Sequence, residues 1–200
     1  MFLKHVLGLF THPAQEWQAI RDGRCSDNKC YYSHAFILAA LPVIAGFYGT
    51  TQVGWEIGNR GVIKLTTDSA LQISVLYYIT LLVGVFTIGK LIQWMGQTYD
   101  ATQPLSICIA LSTYTAMPLF LVGIVQIYPA LWLNLVMGLP ALAYSVYLLY
   151  TGVPVMMDVS KEQGFLFSSA VLAVGLVTLV AILAATVVLW GMGFGPVFTN

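Results

Sequence analysis

Apolar residues in this chain come in long runs rather than in alternation, so the pattern predicts helices in hydrocarbon and not the two-faced strands of a soluble sheet. Five runs, roughly 34–53, 69–95, 105–127, 129–150 and 167–190, are broken mainly by hydroxyl, amide, glycine and proline positions. Crossing about 30 Å of hydrocarbon takes about 20 helical residues, with every backbone N–H and C=O paired inside the segment. All five runs are that long. The expected fold is all-α: a polytopic membrane helical bundle of five transmembrane helices over 34–200, preceded by a segment, 1–33, outside the membrane.

That leading segment has a pattern of its own. Leu3, Leu7, Phe10, Ala14, Trp17 and Ile20 recur every three or four residues, which is the stripe of an amphipathic helix. Pro13 suits a first turn and Gly23 an end, so residues 13–22 are expected to form a short interfacial helix with Trp17 anchored among headgroups. The same stripe would also fit against the bundle's own cytosolic face. The first ten residues are too short and too interrupted for a signal-peptide core, and no small-residue cleavage site follows, so the start is expected to be retained. Between the first two runs, Gly54 to Gly61 holds three glycines and reads as a tight turn anchored at the interface by Trp55. Gln126-Ile127-Tyr128-Pro129 is shorter still and makes a hairpin of the third and fourth spans.

Composition narrows the reading. The 200 residues are 58% hydrophobic and 8% charged, with mean hydropathy +0.83, and soluble domains are roughly 25% charged. A formal net charge of zero gives no concentrated cationic face, so nucleic acid is not an expected partner, whereas membrane lipid is. The few charges are unevenly placed. Lys4, Arg21, Arg24, Lys29, Lys90 and Lys161 fall on one side of the five spans, and only Arg60 and Lys64 on the other. The positive-inside rule then puts the N-terminus in the cytosol and Asn200 outside.

Candidate chemistry is sparse. Cys25, Cys30 and His34 form the one loose set of soft-metal ligands, Cys-x4-Cys-x3-His, able in principle to gather zinc or copper. It lacks the paired knuckles of structural zinc sites, so the expected complement is no cofactor. Two of the three cysteines lie on the expected cytosolic side, which argues against disulfides. No carboxylate lies inside a span, which disfavours a proton relay. Polar groups gather instead in the third and fourth spans, where Pro118 interrupts a helix and Tyr114, Gln126 and Asn134 lie near it. This region is the candidate cavity. Alternatively, the serines and threonines there bond back to their own helix and Asn134 bonds to a neighbour. Small-residue pairs Ala45/Gly49, Gly46/Thr50, Ala141/Ser145 and Ala181/Ala185 let helices approach closely and allow a homo-oligomer. No HExxH, GxSxG, phosphate loop or facing carboxylate pair is present, so no enzyme is expected.

Taken in order, His12-Pro13, Trp17, Ala40-Leu41-Pro42-Val43-Ile44, Tyr114-Thr115-Ala116-Met117-Pro118-Leu119, Gly123, Pro129 and the run from Tyr144 to Pro154 resemble the bacterial branch of the Yip family. The resemblance covers nearly the whole chain. It implies a five-span fold, a cytosolic N-terminus and an inner-membrane location, with no catalytic or ligand residues to transfer. The eukaryotic members interact with Rab-type GTPases and carry a long acidic cytosolic region and an Asp-Leu-Tyr-Gly-Pro type motif. This chain has neither, so GTPase binding is not expected of it. The functional expectation is a non-enzymatic membrane-organising or partner-binding scaffold. Its rivals are a small oligomeric transporter or channel with a path by Pro118 and Asn134, and a metal-binding protein using Cys25, Cys30 and His34.

Overall fold

A computed structural model describes residues 2–22, 29–56 and 61–199. It is an all-α bundle whose five longest helical segments, Ser33–Val53, Thr67–Tyr99, Leu105–Ile127, Leu131–Met157 and Lys161–Gly193, are long and apolar enough to cross a membrane. Helix α5 (Leu105–Val122) is the central one. It packs against α3 (Lys29–Tyr48), α4 (Thr67–Gly96) and α6 (Leu131–Met157). Of its most apolar window 61% is buried, against 6% for α4 and for α7 (Lys161–Leu189). The cause is legible in its side chains: Cys108, Ala110, Ser112 and Thr113 are small enough for backbones to close in on several sides at once.

The helix ends extend beyond the apolar runs, because polar first turns belong to helices too. Helix α7 begins six residues before the predicted 167, where Ser160 accepts a 3.2 Å hydrogen bond from the Gln163 N–H. Helix α6 starts at Leu131 and continues through Pro154 to Met157, where Asp158 in the left-handed region (φ 59°) closes it. Glycine supplies several of the close contacts between helices. A Cβ on Gly89 would lie 2.7 Å from Ile109 Cγ1, one on Gly123 2.4 Å from Pro42 Cβ, and one on Gly164 2.5 Å from Pro154 Cγ.

At the far end from the N-terminus, α3 runs on into a π turn, Gly49–Val53, and Gly54 turns the chain with φ 78°. What the sequence suggested as a bare turn is flanked by an antiparallel pair, β1 (Trp55–Glu56) and β2 (Val62–Ile63), with Trp55 opposite Ile63. Residues 57–60 lie outside the description. The C-terminal tail returns to the same place: Thr66 N–H donates to Val197 C=O at 3.0 Å and Thr199 N–H to Lys64 C=O at 2.8 Å. No run of apolar residues announces this clasp.

Two helices precede the spans, not one. Helix α1 (Phe2–Thr11) and α2 (Pro13–Asp22) meet at His12. Both dock on the end of the bundle, where Val6, Leu9, Trp17 and Ile20 join the core.

Candidate functional site

The polar groups concentrate where α1 and α2 cap the bundle. Tyr114, in mid-α5, is 1% exposed and its hydroxyl is 2.8 Å from His34 Nδ1 at the start of the first span. Its ring meets three others edge to face: Trp17 at 6.4 Å, His34 at 5.9 Å and His5 at 6.3 Å. His5 Nδ1 pairs with Glu16, which ties α1 to α2. The cap is then fastened to α6 at two points. Tyr144 donates its hydroxyl to Leu9 C=O at 2.7 Å. Arg21 donates to Val155 C=O at 2.8 Å and to Asp158, 3.0 Å to Oδ1 and 2.8 Å between Nη2 and Oδ2. That hydrogen bond holds the Asp158 carboxyl below its ordinary value and raises the guanidinium of Arg21.

This arrangement corrects the reading of Trp17. It is not exposed to headgroups but wholly enclosed, seated so closely that a Cβ on Gly152 would fall 2.7 Å from its ring. The expected continuous stripe is also broken. Leu7 (65% exposed) faces outward and Phe10 is only stacked by one face on Tyr144, while Val6 and Leu9 are buried, because the break at His12 shifts the phase between the two helices. Trp55 lies edge to face on Phe198 at 6.1 Å, within the C-terminal clasp.

The four residues expected to line one cavity are not brought together. Tyr114 belongs to the cap. Pro118 is buried within α5. Gln126 donates to the Tyr77 hydroxyl at 3.2 Å. Asn134 donates to Ala130 C=O at 2.9 Å and Tyr128 C=O at 3.2 Å, satisfying carbonyls around its own helix start. Of the proposed metal set, Cys25 and the side chain of Cys30 lie outside the described residues. No group of three or more His, Cys, Asp or Glu is assembled among the described residues.

A sizeable cavity lies elsewhere. A half-open cleft of about 740 Å³ runs from mid-bundle toward the end that carries the β pair, between α4 and α7, with α5 and α6 behind it. Among the described residues, no ionisable side chain except Tyr77 lines it. Most of its hydroxyls are already bonded: Thr80 to Leu76 C=O, Ser112 to Val85 C=O, Thr178 to Val174 C=O and Thr186 to Ile182 C=O. Two are not. Ser145 Oγ and Thr115 Oγ1 are enclosed with no hydrogen-bond partner, and both residues border the cleft. Sequence reasoning missed it because the cleft is made by the divergence of two helices, which leaves no local pattern.

The model of the Yip1 domain matches residues 7–182. The chain is 42% identical over 192 residues to the inner membrane protein YohC of Escherichia coli strain K12, covering 96% of this chain and 98% of the relative. The protein of the same name from Escherichia coli O6:H1 is equally similar. No solved structure matches. A family model that covers most of the cap and nearly all five spans, and relatives of matching length, show that the chain belongs to the Yip1 family.

Proposed function

We propose that this protein is a non-enzymatic inner-membrane scaffold that organises the membrane by associating with a second copy of itself through the outer face of α7. The inner-membrane assignment is carried over from the relative's name, and the positive-inside count puts the α1–α2 cap in the cytosol and Asn200 outside. One observation carries the reading. Val177, Ala181, Ala184 and Val188 recur at i, i+4, i+7 and i+11 and are all exposed, so they form one uncharged face that nothing among the described residues covers. Such a face can pack on its own two-fold image, because small side chains let two helices approach within dispersion range and no charge opposes the pairing. Two of the other small-residue pairs are used internally, since Ala45, Gly49, Ala141 and Ser145 are buried, and Gly46 and Thr50 are half-buried. Against transport by Pro118 and Asn134 stands the use of Asn134 in hydrogen bonds around its own helix start and of Gln126 in a hydrogen bond to Tyr77 on α4.

Single cysteines placed on α7 in a cysteine-free background test this in native membranes. Crosslinked dimers are expected from positions 177, 181, 184 and 188, and not from Leu179 or Ile182 on the opposite face. Monomer at all four positions, or crosslinking without that period, overturns the proposal. So does substrate flux through reconstituted protein that Ala181→Trp leaves unchanged.

A further inference from the structure

Glycines in a membrane helix normally let a neighbour come close. Gly89, Gly123, Gly152 and Gly164 do this here, since a Cβ on any of them would collide with another helix. Gly84 on α4 and Gly175 on α7 do not: a Cβ on either would meet nothing within 4 Å. Both line the cleft between those helices. Gly138 and Gly191 are also open, but they are outside the cleft lining. At Gly84 and Gly175 the missing side chains leave space rather than closing it. The cleft walls are almost entirely apolar, which at this depth favours hydrocarbon over water as the filling.

The occupant's chemistry follows from what remains unpaired. Ser145, 5% exposed, and Thr115 each enclose a hydroxyl oxygen without a partner. Both lie near the middle of their spans, Leu131–Met157 and Leu105–Ile127. One staggered rotamer change redirects such a hydroxyl. A donor there calls for an acceptor oxygen on an otherwise apolar molecule. A lipid with a charged headgroup could bring its ester carbonyl to that depth only by drawing the charge out of water. An uncharged glyceride has no such penalty.

We propose that the cleft is a binding site for an uncharged acyl lipid, its chain lying between α4 and α7 and its carbonyl oxygen received by Ser145 and Thr115. The site is on the opposite side of α7 from Val177, Ala181, Ala184 and Val188, so it stands or falls apart from self-association.

Photolabelling tests it with the full chain in proteoliposomes. One set of vesicles carries diacylglycerol with a diazirine on an acyl chain, and a parallel set carries phosphatidylglycerol with the same chain. The diacylglycerol probe is expected to label Leu81 and Leu179 in the cleft, with the phosphatidylglycerol probe labelling outward positions away from α7, such as Val136 on α6. Gly84→Leu/Gly175→Leu, which fills open space, should lower cleft labelling several-fold and leave outward labelling unchanged, in protein that still elutes as a single species. Ser145→Ala/Thr115→Val removes the donors without filling the space and should erase the preference for the uncharged probe, which carries the test if the filled variant misfolds. Equal cleft labelling by both probes in the unaltered protein, or cleft labelling indifferent to both double variants, overturns the assignment.

Discussion

Trp17 shows how much a single side chain's destination depends on its neighbours. An amphipathic stripe fits a lipid interface and a protein surface equally well, since both offer an apolar layer beside a polar one. What decides is Gly152, whose missing side chain leaves a seat for the indole that a Cβ would occupy at 2.7 Å. Truncating a wholly buried aromatic leaves a cavity, so Trp17→Ala is expected to destabilise the protein by about 3–5 kcal/mol. The check is thermal unfolding in detergent. Gly152→Val should loosen the cap by the opposite route, overpacking, at about 1–3 kcal/mol. Tyr114→Phe keeps the ring among Trp17, His5 and His34 but loses the bond to His34, for about 1 kcal/mol. If Tyr114→Phe proved as damaging as Trp17→Ala, the hydroxyl rather than the packing would be the larger contributor.

At the scale of elements, each of the five apolar runs falls on one of the five long helical segments but stops short of several of their ends. Hydrophobicity stops where charge begins, whereas α7 starts with Lys161, Glu162 and Gln163 because Ser160 caps it and Glu162 sits well against the positive end of the helix dipole. Ser160→Ala is expected to cost about 1 kcal/mol, read as a lower unfolding temperature. Helix α2 is held to α6 partly by Arg21 and Asp158, and this contact responds to pH. The Asp158 carboxyl is held below its ordinary value by its bond to Arg21. Its contribution to docking is therefore fully present above the ordinary carboxylate range and is lost as pH falls through the lowered folded-state value. Proteolysis of α1–α2 should speed up on acidification through that window. In Asp158→Asn the cap should be more susceptible at neutral pH and show less of that acid dependence.

For the whole molecule, the uneven placement of cations predicts a reporter fused after Asn200 to be active only outside the cytosol, and one fused at the N-terminus only inside. A cytosolic reading at Asn200 would reverse the cap and the cleft together. Sequence alone determined that the chain is an all-α bundle of five spans, because crossing hydrocarbon imposes length, composition and internal hydrogen bonding on each segment separately. It determined the family for a similar reason, as motifs are local and ordered. Tertiary structure decided which helix is central, that Trp17 is core and that Asn134 donates to carbonyls at its own helix start, that the tail clasps the start of α4, and that Gly84 and Gly175 border space while Gly89 and Gly152 close it. Those are properties of pairs of distant residues: a glycine reads the same in sequence whether its neighbour is a ring 2.7 Å away or an open cleft.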